Sequence, residues 1–310
     1  ILVIDPTLGI SNFEKDLLQT FDQHGVPVLG ILNKMDLFTA EIKELEKELE
    51  KELGLILHPI STLTGEGIEE LKELIARQTP IDYARNNIVG DLLSPGDMCI
   101  LVTPIDSAAP KGRLILPQVQ TIRDILDHNA QALVVKETEL PAALASLKQP
   151  PRLVITDSQA FKEVSALIDS SIPLTSFSIL FARYKADLKS MMEGIKAVEN
   201  LKPGDKVLIA EACTHHRQED DIGTIKIPHL LEKQAGGKLD INWYSGSSYP
   251  EDLESYKLIV HCGACMLNRK QMLSRVRKAR EKNIPIVNYG VLLAYMNGIL
   301  DRTTEMLPLN

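Results

Sequence analysis

Cysteine is scarce in this chain, with 4 among 310 residues, and three of those fall in one constellation. Such scarcity excludes a disulfide framework and suits a reducing, cytoplasmic setting. No apolar run approaches the roughly eighteen residues that a membrane-spanning helix needs, so no membrane association is expected. The net charge is -8, and no repeat interleaves aromatic with basic residues. Both features argue against nucleic acid as the main partner. Also missing is any Gly-x-x-x-x-Gly-Lys-Ser/Thr, the backbone cradle for nucleotide phosphates. There is neither an initiator Met nor a signal peptide, and the first residues, Ile1-Leu2-Val3-Ile4-Asp5, already lie inside a strand-like run, so the chain reads as a fragment. What remains is ordinary: 44% apolar and 25% charged residues, in a length sufficient for two or three domains with cores.

The chain reads as α/β throughout, in three units. Over residues 1–80 strands are expected at 1–5, 28–32 and 55–59, with helices at 12–24, 40–53 and 67–77, the alternation of a parallel sheet. The Glu/Lys-rich helix at 40–53 reads as a solvated face with i,i+4 pairs. In the second unit, residues 81–200, strands are expected at 98–103, 132–136, 153–156 and 174–178, and helices at 118–127, 142–147, 159–168 and 183–199. It shows no catalytic constellation. Lys111 and Arg113, between Pro110 and Pro117, read as a structural loop or subunit contact, with a phosphate grip as the alternative. The third unit, residues 201–310, has expected strands at 206–210, 239–243, 258–260 and 284–288 and helices at 228–234, 266–282 and 291–300. Its basic run Arg269, Lys270, Arg275, Arg277, Lys278 and Arg280 reads as a solvated helix face.

Two constellations carry chemistry. In the first unit Asn33-Lys34-Met35-Asp36 directly follows a strand and has the form of the guanine signature of GTPases. The Asp36 carboxylate can accept two N–H bonds from guanine, which adenine cannot offer, while Asn33 ties the base to the loop and the Lys34 stem lies along its face. Ser61 and Thr62, ahead of Gly65-Glu66-Gly67, form the second base-reading loop; GTPases place Ala where Thr62 stands. This is the base-reading half of a G domain, and the phosphate-binding half is expected to precede Ile1. The chain as written is therefore not expected to hydrolyse GTP.

The second constellation is Cys213-Thr214-His215, answered by His261-Cys262-Gly263-Ala264-Cys265. Each half follows an apolar β-branched run, Lys206-Val207-Leu208-Ile209-Ala210 and Lys257-Leu258-Ile259-Val260. Both therefore belong at the carboxyl ends of strands, the edge of an open parallel sheet where ligands bind. A Cys-x-x-Cys turn before a helix gains N–H groups and the positive end of the helix dipole. Zinc takes closed Cys/His sets, usually from paired short-spaced knuckles; an iron-sulfur cluster with three cysteines needs a fourth ligand of another kind. That ligand is open: His215, His261, a carboxylate, solvent or an incoming precursor. The histidines can alternatively hydrogen-bond a sulfur. Tyr289, in Asn288-Tyr289-Gly290 at the same edge, walls the site or forms a plain strand-to-helix turn. Cys99, inside Met98-Cys99-Ile100-Leu101-Val102, reads as core. A regulatory GTPase with a zinc-stabilised domain for RNA or protein is the competing class.

These motifs resemble the HydF family, the maturation GTPases of iron-iron hydrogenase. The resemblance rests on Cys-x-His with His-Cys-x-x-Cys in their contexts Glu211–His215 and His261–Arg269, on Asn288-Tyr289-Gly290, on the run from Pro110 to Gln118, and on Ile155-Thr156-Asp157-Ser158. It implies a partial P-loop-type G domain over 1–80, a small α/β dimerisation domain over 81–200 and an iron-sulfur cluster-binding domain with a parallel sheet over 201–310. It further implies a homodimeric scaffold carrying a 4Fe-4S cluster on Cys213, Cys262 and Cys265, with GTP and Mg2+ bound by the full-length protein. The resemblance implies, too, that radical-enzyme maturases supply a two-iron precursor and that apo-hydrogenase receives it.

Overall fold

Short β-branched runs alternate with helical ones along the sequence, and a strand that leaves through a helix returns parallel to its neighbour. The computed structural model has this architecture. It describes residues 1–23, 26–38, 42–78, 87–105, 114–212, 221–245, 249–250 and 252–308, which divide into two compact units, 1–86 and 87–310. Among the described residues every strand pairing is parallel, in sheets of three, four and four strands. No helix among them is long and apolar enough to cross a membrane.

In the first unit β1 (Leu2–Ile4), β2 (Gly30–Leu32) and β3 (Leu57–Pro59) lie in that order. Successive strand side chains point to opposite faces. Leu2, Ile4, Leu32 and Leu57 pack with Leu17 and Leu18 of α1 (Asn12–Gln23) and Leu45 and Leu49 of α2 (Ile42–Leu53). Leu29, Ile31 and Ile60 meet Ile68, Leu71 and Leu74 of α3 (Ile68–Gln78). The expected alternation is present, with each strand two residues shorter than expected.

In the second unit β4 (Met98–Val102), β5 (Gln131–Val135), β6 (Leu153–Thr156) and β7 (Leu174–Ser176) form a sheet ordered β5-β4-β6-β7. Helices α4 (Leu116–Asp127), α5 (Leu140–Ser146) and α6 (Phe161–Leu167) connect its strands. The second sheet, ordered β11-β10-β8-β9, contains β8 (Lys206–Glu211), β9 (Asp240–Ser245), β10 (Leu258–His261) and β11 (Ile286–Asn288). One continuous apolar core takes in both sheets, from Ile100 and Ile155 to Ile209 and Ile259.

Between β7 and β8 the sequence reading and the structure part. A strand at 174–178 and one helix at 183–199 were expected; three helices occur, α7 (Phe177–Lys185), α8 (Leu188–Glu193) and α9 (Ile195–Glu199). The Ser176 hydroxyl accepts the Ile179 N–H, so β7 ends where a cap begins. Non-helical backbone at Ala186, φ -122 and ψ -142, breaks the helix, and Asp187 caps the next by accepting the Ser190 N–H. Downstream, Asp221 caps a five-residue π-helical turn, 222–226, that runs into α10 (Ile227–Ala235). Next, α11 (Arg269–Glu281) starts three residues later than expected, because Asn268 and Gln271 form its capping box. The last helices are α12 (Tyr289–Met296) and α13 (Leu300–Thr304).

Candidate metal centre

The site is built on neighbouring strands. β8 and β10 pair with Ala210 opposite His261, and the ladder extends one bond further, the Cys262 N–H donating to the Ala210 carbonyl at 3.0 Å. Chain and side chain then meet: the Ala212 N–H donates to Cys262 Sγ at 3.2 Å. Ala212 immediately precedes Cys213 in sequence. Cys213 and His215 themselves lie outside the described residues, as do Lys111 and Arg113 of the loop before α4. Among the described residues no three His, Cys, Asp or Glu side chains gather as a metal set, and the described part of the site contains two thiols, Cys262, buried, and Cys265, half-buried.

Beyond Cys262 the chain turns through Ala264 in the left-handed region, φ 53, and the Leu267 N–H closes onto the Ala264 carbonyl at 3.1 Å. The turn is held from below by Lys185, the last residue of α7, whose side chain is buried. Its Nζ donates to the carbonyls of Ala264 at 3.1 Å, Cys265 at 3.0 Å and Leu267 at 2.9 Å, and it lies 5.1 Å from the centre of the Phe181 ring. Burial pushes the Lys185 pKa down, opposed by the charges of Cys265 and Cys262. Sequence reasoning missed this residue; the available signal was a lysine in the strongly apolar stretch Phe177-Ser178-Ile179-Leu180-Phe181 onward, since lysines are almost never buried unpaired.

The same helix supports the other strand ends. Asn288, at the end of β11, donates from Nδ2 to the Ser178 carbonyl at 2.9 Å and accepts the Val291 N–H at 2.8 Å. Gly290 lies so near Ser178 that an added Cβ would stand 2.8 Å from the Ser178 Cβ. Tyr289 is buried and its hydroxyl donates to Glu211 Oε1 at 3.4 Å. Burial first, then the charges of Cys262 and Glu211, raises its pKa well above the ordinary tyrosine value.

His261 is fully buried and bridges two groups. Arg275 Nη1 lies 2.7 Å from His261 Nε2, and His261 Nδ1 lies 2.8 Å from the Cys262 carbonyl. A guanidinium only donates, so Nε2 is the acceptor and Nδ1 carries the N–H. As placed, both ring nitrogens are engaged, and the imidazole braces the turn. Arg275 is itself buried, 5.1 Å from the centre of the Tyr249 ring; it departs from the solvated face expected of the basic run.

The chemistry of these donors fits an anionic, thiolate-held group. A backbone N–H that donates to sulfur, on a turn held by a buried ammonium, is the kind of donor set an anionic ligand calls for.

The two loops of the first unit from which base reading is expected are brought together. Lys34 takes a left-handed conformation, φ 64, which turns the chain after β2 so that Asn33 and Asp36 both face the 61–66 loop. Asn33 Oδ1 accepts the Thr62 N–H at 3.1 Å, and the Ser61 hydroxyl donates to Asp36 Oδ1 at 2.5 Å. Buried Ser61 in turn accepts the Thr64 N–H at 3.1 Å. Lys34 reaches across to Asp5 at the end of β1, 2.6 Å away. The Lys34 contact, then those from Thr7, hold the Asp5 carboxyl down at about 2. The strand-like run that ends at Asp5 gives no sign in the sequence of this link to Lys34.

Fold and site together define an α/β protein whose parallel sheet presents a Cys-x-x-Cys turn at its carboxyl edge, with a separate unit in which the loops of Asn33–Asp36 and Ser61–Thr62 are hydrogen-bonded to each other. Family models match it twice: a hydrogen maturase F dimerisation domain over residues 88–186 and a hydrogen maturase F tetramerisation domain over residues 189–306. The chain belongs to the hydrogen maturase F family, and it carries that family's homo-oligomerisation modules. The module matched over 189–306 is described by tetramerisation, a level of assembly above the homodimer expected from the sequence. Among curated proteins the chain is similar to Elongation factor 4 of Limosilactobacillus reuteri, 24% identical over 324 residues, covering 98% of this chain and 46% of that protein. Elongation factor 4 of Lawsonia intracellularis is 35% identical over 83 residues, 26% of this chain and 14% of that protein. The chain thus spans less than half the length of these relatives.

Proposed function

We propose that this protein is a scaffold and carrier in the maturation of iron-iron hydrogenase. In this reading Cys213, Cys262 and Cys265 hold a 4Fe-4S cluster, a two-iron precursor supplied by radical-enzyme maturases is its cargo, and apo-hydrogenase is the recipient. The attached base-reading unit serves as a GTPase switch when its phosphate-binding part is present, with GTP and Mg2+ bound there. The observation that carries the reading is the Cys262–Cys265 turn at the carboxyl end of β10, with Ala212 donating to Cys262 Sγ. Membership of the hydrogen maturase F family supports it.

The chain's own residues have distinct tasks. Cys262, tied to β8 by its N–H and its sulfur, sets one fixed ligand position; Cys265, less buried, sets the neighbouring one. His261, engaged at both nitrogens, keeps the turn in register. Tyr289 and Glu211 wall the side toward β8. When bound, a cluster with three thiolates supplies one iron without a thiolate, a natural attachment point for the bridging ligand of a two-iron cargo.

The test is anaerobic reconstitution with iron and sulfide, followed by iron counting, paramagnetic resonance of the reduced protein and activation of apo-hydrogenase in the presence of the maturases. Cluster assembly that is lost in Cys262→Ser and in Cys265→Ser supports the reading. A colourless protein that binds zinc in place of iron, or iron retained by Cys262→Ser, overturns it.

A further inference from the structure

A buried lysine is costly unless its charge finds a partner. Lys185 has three donors, and three backbone carbonyls of the Cys-x-x-Cys turn receive them. Three acceptors on one nitrogen require three protons, so the geometry is that of the ammonium and not of the amine. Among the described residues no carboxylate pairs with it. The Phe181 ring, from one turn earlier in α7, covers its other side.

We propose that Lys185 is the positioning residue and counter-charge of the thiolate turn: it fixes the backbone from Ala264 to Leu267 and, as a buried cation seated on that turn, raises the reduction potential of the group those thiolates hold. The inference rests on the scaffold reading for what the turn binds. It goes beyond that reading in assigning the tuning to a helix outside the thiolate motifs. Lys185 lies at the end of the segment matched to the dimerisation domain, and the turn lies in the segment matched to the tetramerisation domain. The two modules of one chain therefore meet at the turn through this ammonium, as they meet at the end of β11 through Asn288 and Ser178, and a shift of α7 would move the turn and its counter-charge together. The sign of the electrical effect follows from elementary electrostatics. Reduction adds negative charge, and a fixed positive charge in a poorly screened interior stabilises the reduced form.

The experiment uses the full chain, as wild type, Lys185→Met and Lys185→Arg. Hydrogen exchange of the amides between 263 and 268 is measured on metal-free protein, and the midpoint potential is measured by redox titration after anaerobic reconstitution. In Lys185→Met the turn amides should exchange on the order of tenfold faster, the scale of losing one buried hydrogen-bond partner, and the potential should move to a more negative value. Lys185→Arg, which keeps the charge, should hold the potential near that of wild type. Unchanged exchange in Lys185→Met, or an unchanged potential, overturns the proposal. Should Lys185→Met fail to fold, Lys185→Gln, which keeps a donor and drops the charge, reads the same two quantities. If wild type takes up no iron, the scaffold reading fails while the exchange measurement still decides whether Lys185 holds the turn.

Discussion

Cys99 and Cys262 are both buried, and their surroundings differ. Cys99 lies in β4 with no exposed surface, and burial, then the charge of Asp97, pushes its thiol up to about 12. It stays protonated at neutral pH. Cys262 accepts a backbone N–H on sulfur and lies in the field of Lys185. Cys99→Ser should therefore leave iron content unchanged while lowering stability by about 1–3 kcal/mol, because a hydroxyl without a partner enters an apolar strand. Cys262→Ser should abolish iron uptake with a smaller change in the unfolding midpoint. Metal analysis beside denaturant titration separates the two, and loss of iron in Cys99→Ser would contradict the assignment. At this scale the sequence was informative where spacing carries chemistry: the thiols, His261 and the Asn33, Asp36 and Ser61 set all stand in recognisable patterns. Lys185 was not legible, because its partners are main-chain carbonyls 79, 80 and 82 residues away. Every residue has a carbonyl, so such an acceptor leaves no trace in side-chain identity. Arg275 is similar: its place on a basic helix suggested solvent, and only the fold shows it turned inward to His261.

The element that organises the site is α7. Phe177, Ile179, Leu180, Phe181 and Ala182 are all buried, so the helix lacks a polar face over these positions and gave no helical period to read. Its beginning was read as strand for the same reason: a short apolar run next to β7 fits either element. The strands of the second sheet were easier, being β-branched runs bounded by turns. The approach of α12 to α7 at Gly290 makes a prediction. With a Cβ placed 2.8 Å from that of Ser178, Gly290→Ala must push the two helices apart, at a cost of about 1–3 kcal/mol. The same variant should raise hydrogen exchange in 177–185, and unaltered stability would show that the contact yields freely. Asp187 makes another. It caps α8 and pairs with Arg280 of α11. Desolvation pushes its pKa up, but the Ser190 hydrogen bonds and Arg280 prevail and hold it below the ordinary value. A depressed carboxylate contributes stability above its unfolded pKa and loses it as pH falls through the folded one. Asp187→Ala should thus cost about 0.5–2 kcal/mol at neutral pH, and the difference from wild type should shrink once both are acidified below about pH 4. A gap that persists at low pH would assign the loss to packing.

At the scale of the whole molecule the 87–310 unit contains two sheets in one continuous core. The first unit has its own apolar faces on either side of a three-stranded sheet. Elements within each were legible as alternating patterns, but the sharing of one core by β4–β7 and β8–β11 was not, because apolar strands look alike whichever sheet they pack beside. Cutting between Asn86 and Asn87 separates no cluster of core residues, whereas a cut after residue 200 would divide one. The matched dimerisation and tetramerisation modules both lie beyond residue 86. A chain of residues 87–310 should therefore unfold in one cooperative transition and associate as the full chain does, read by denaturant titration and analytical sedimentation at micromolar concentration. That outcome would make the first unit dispensable for assembly. A chain of residues 201–310 should instead expose the face that α7 and α9 cover, lose the Lys185 contact with the turn, and aggregate or remain partly unfolded. If that shorter piece folded cooperatively and took up iron with the potential of the full chain, the shared core would be structurally idle and the link from α7 to the thiolates would have no consequence.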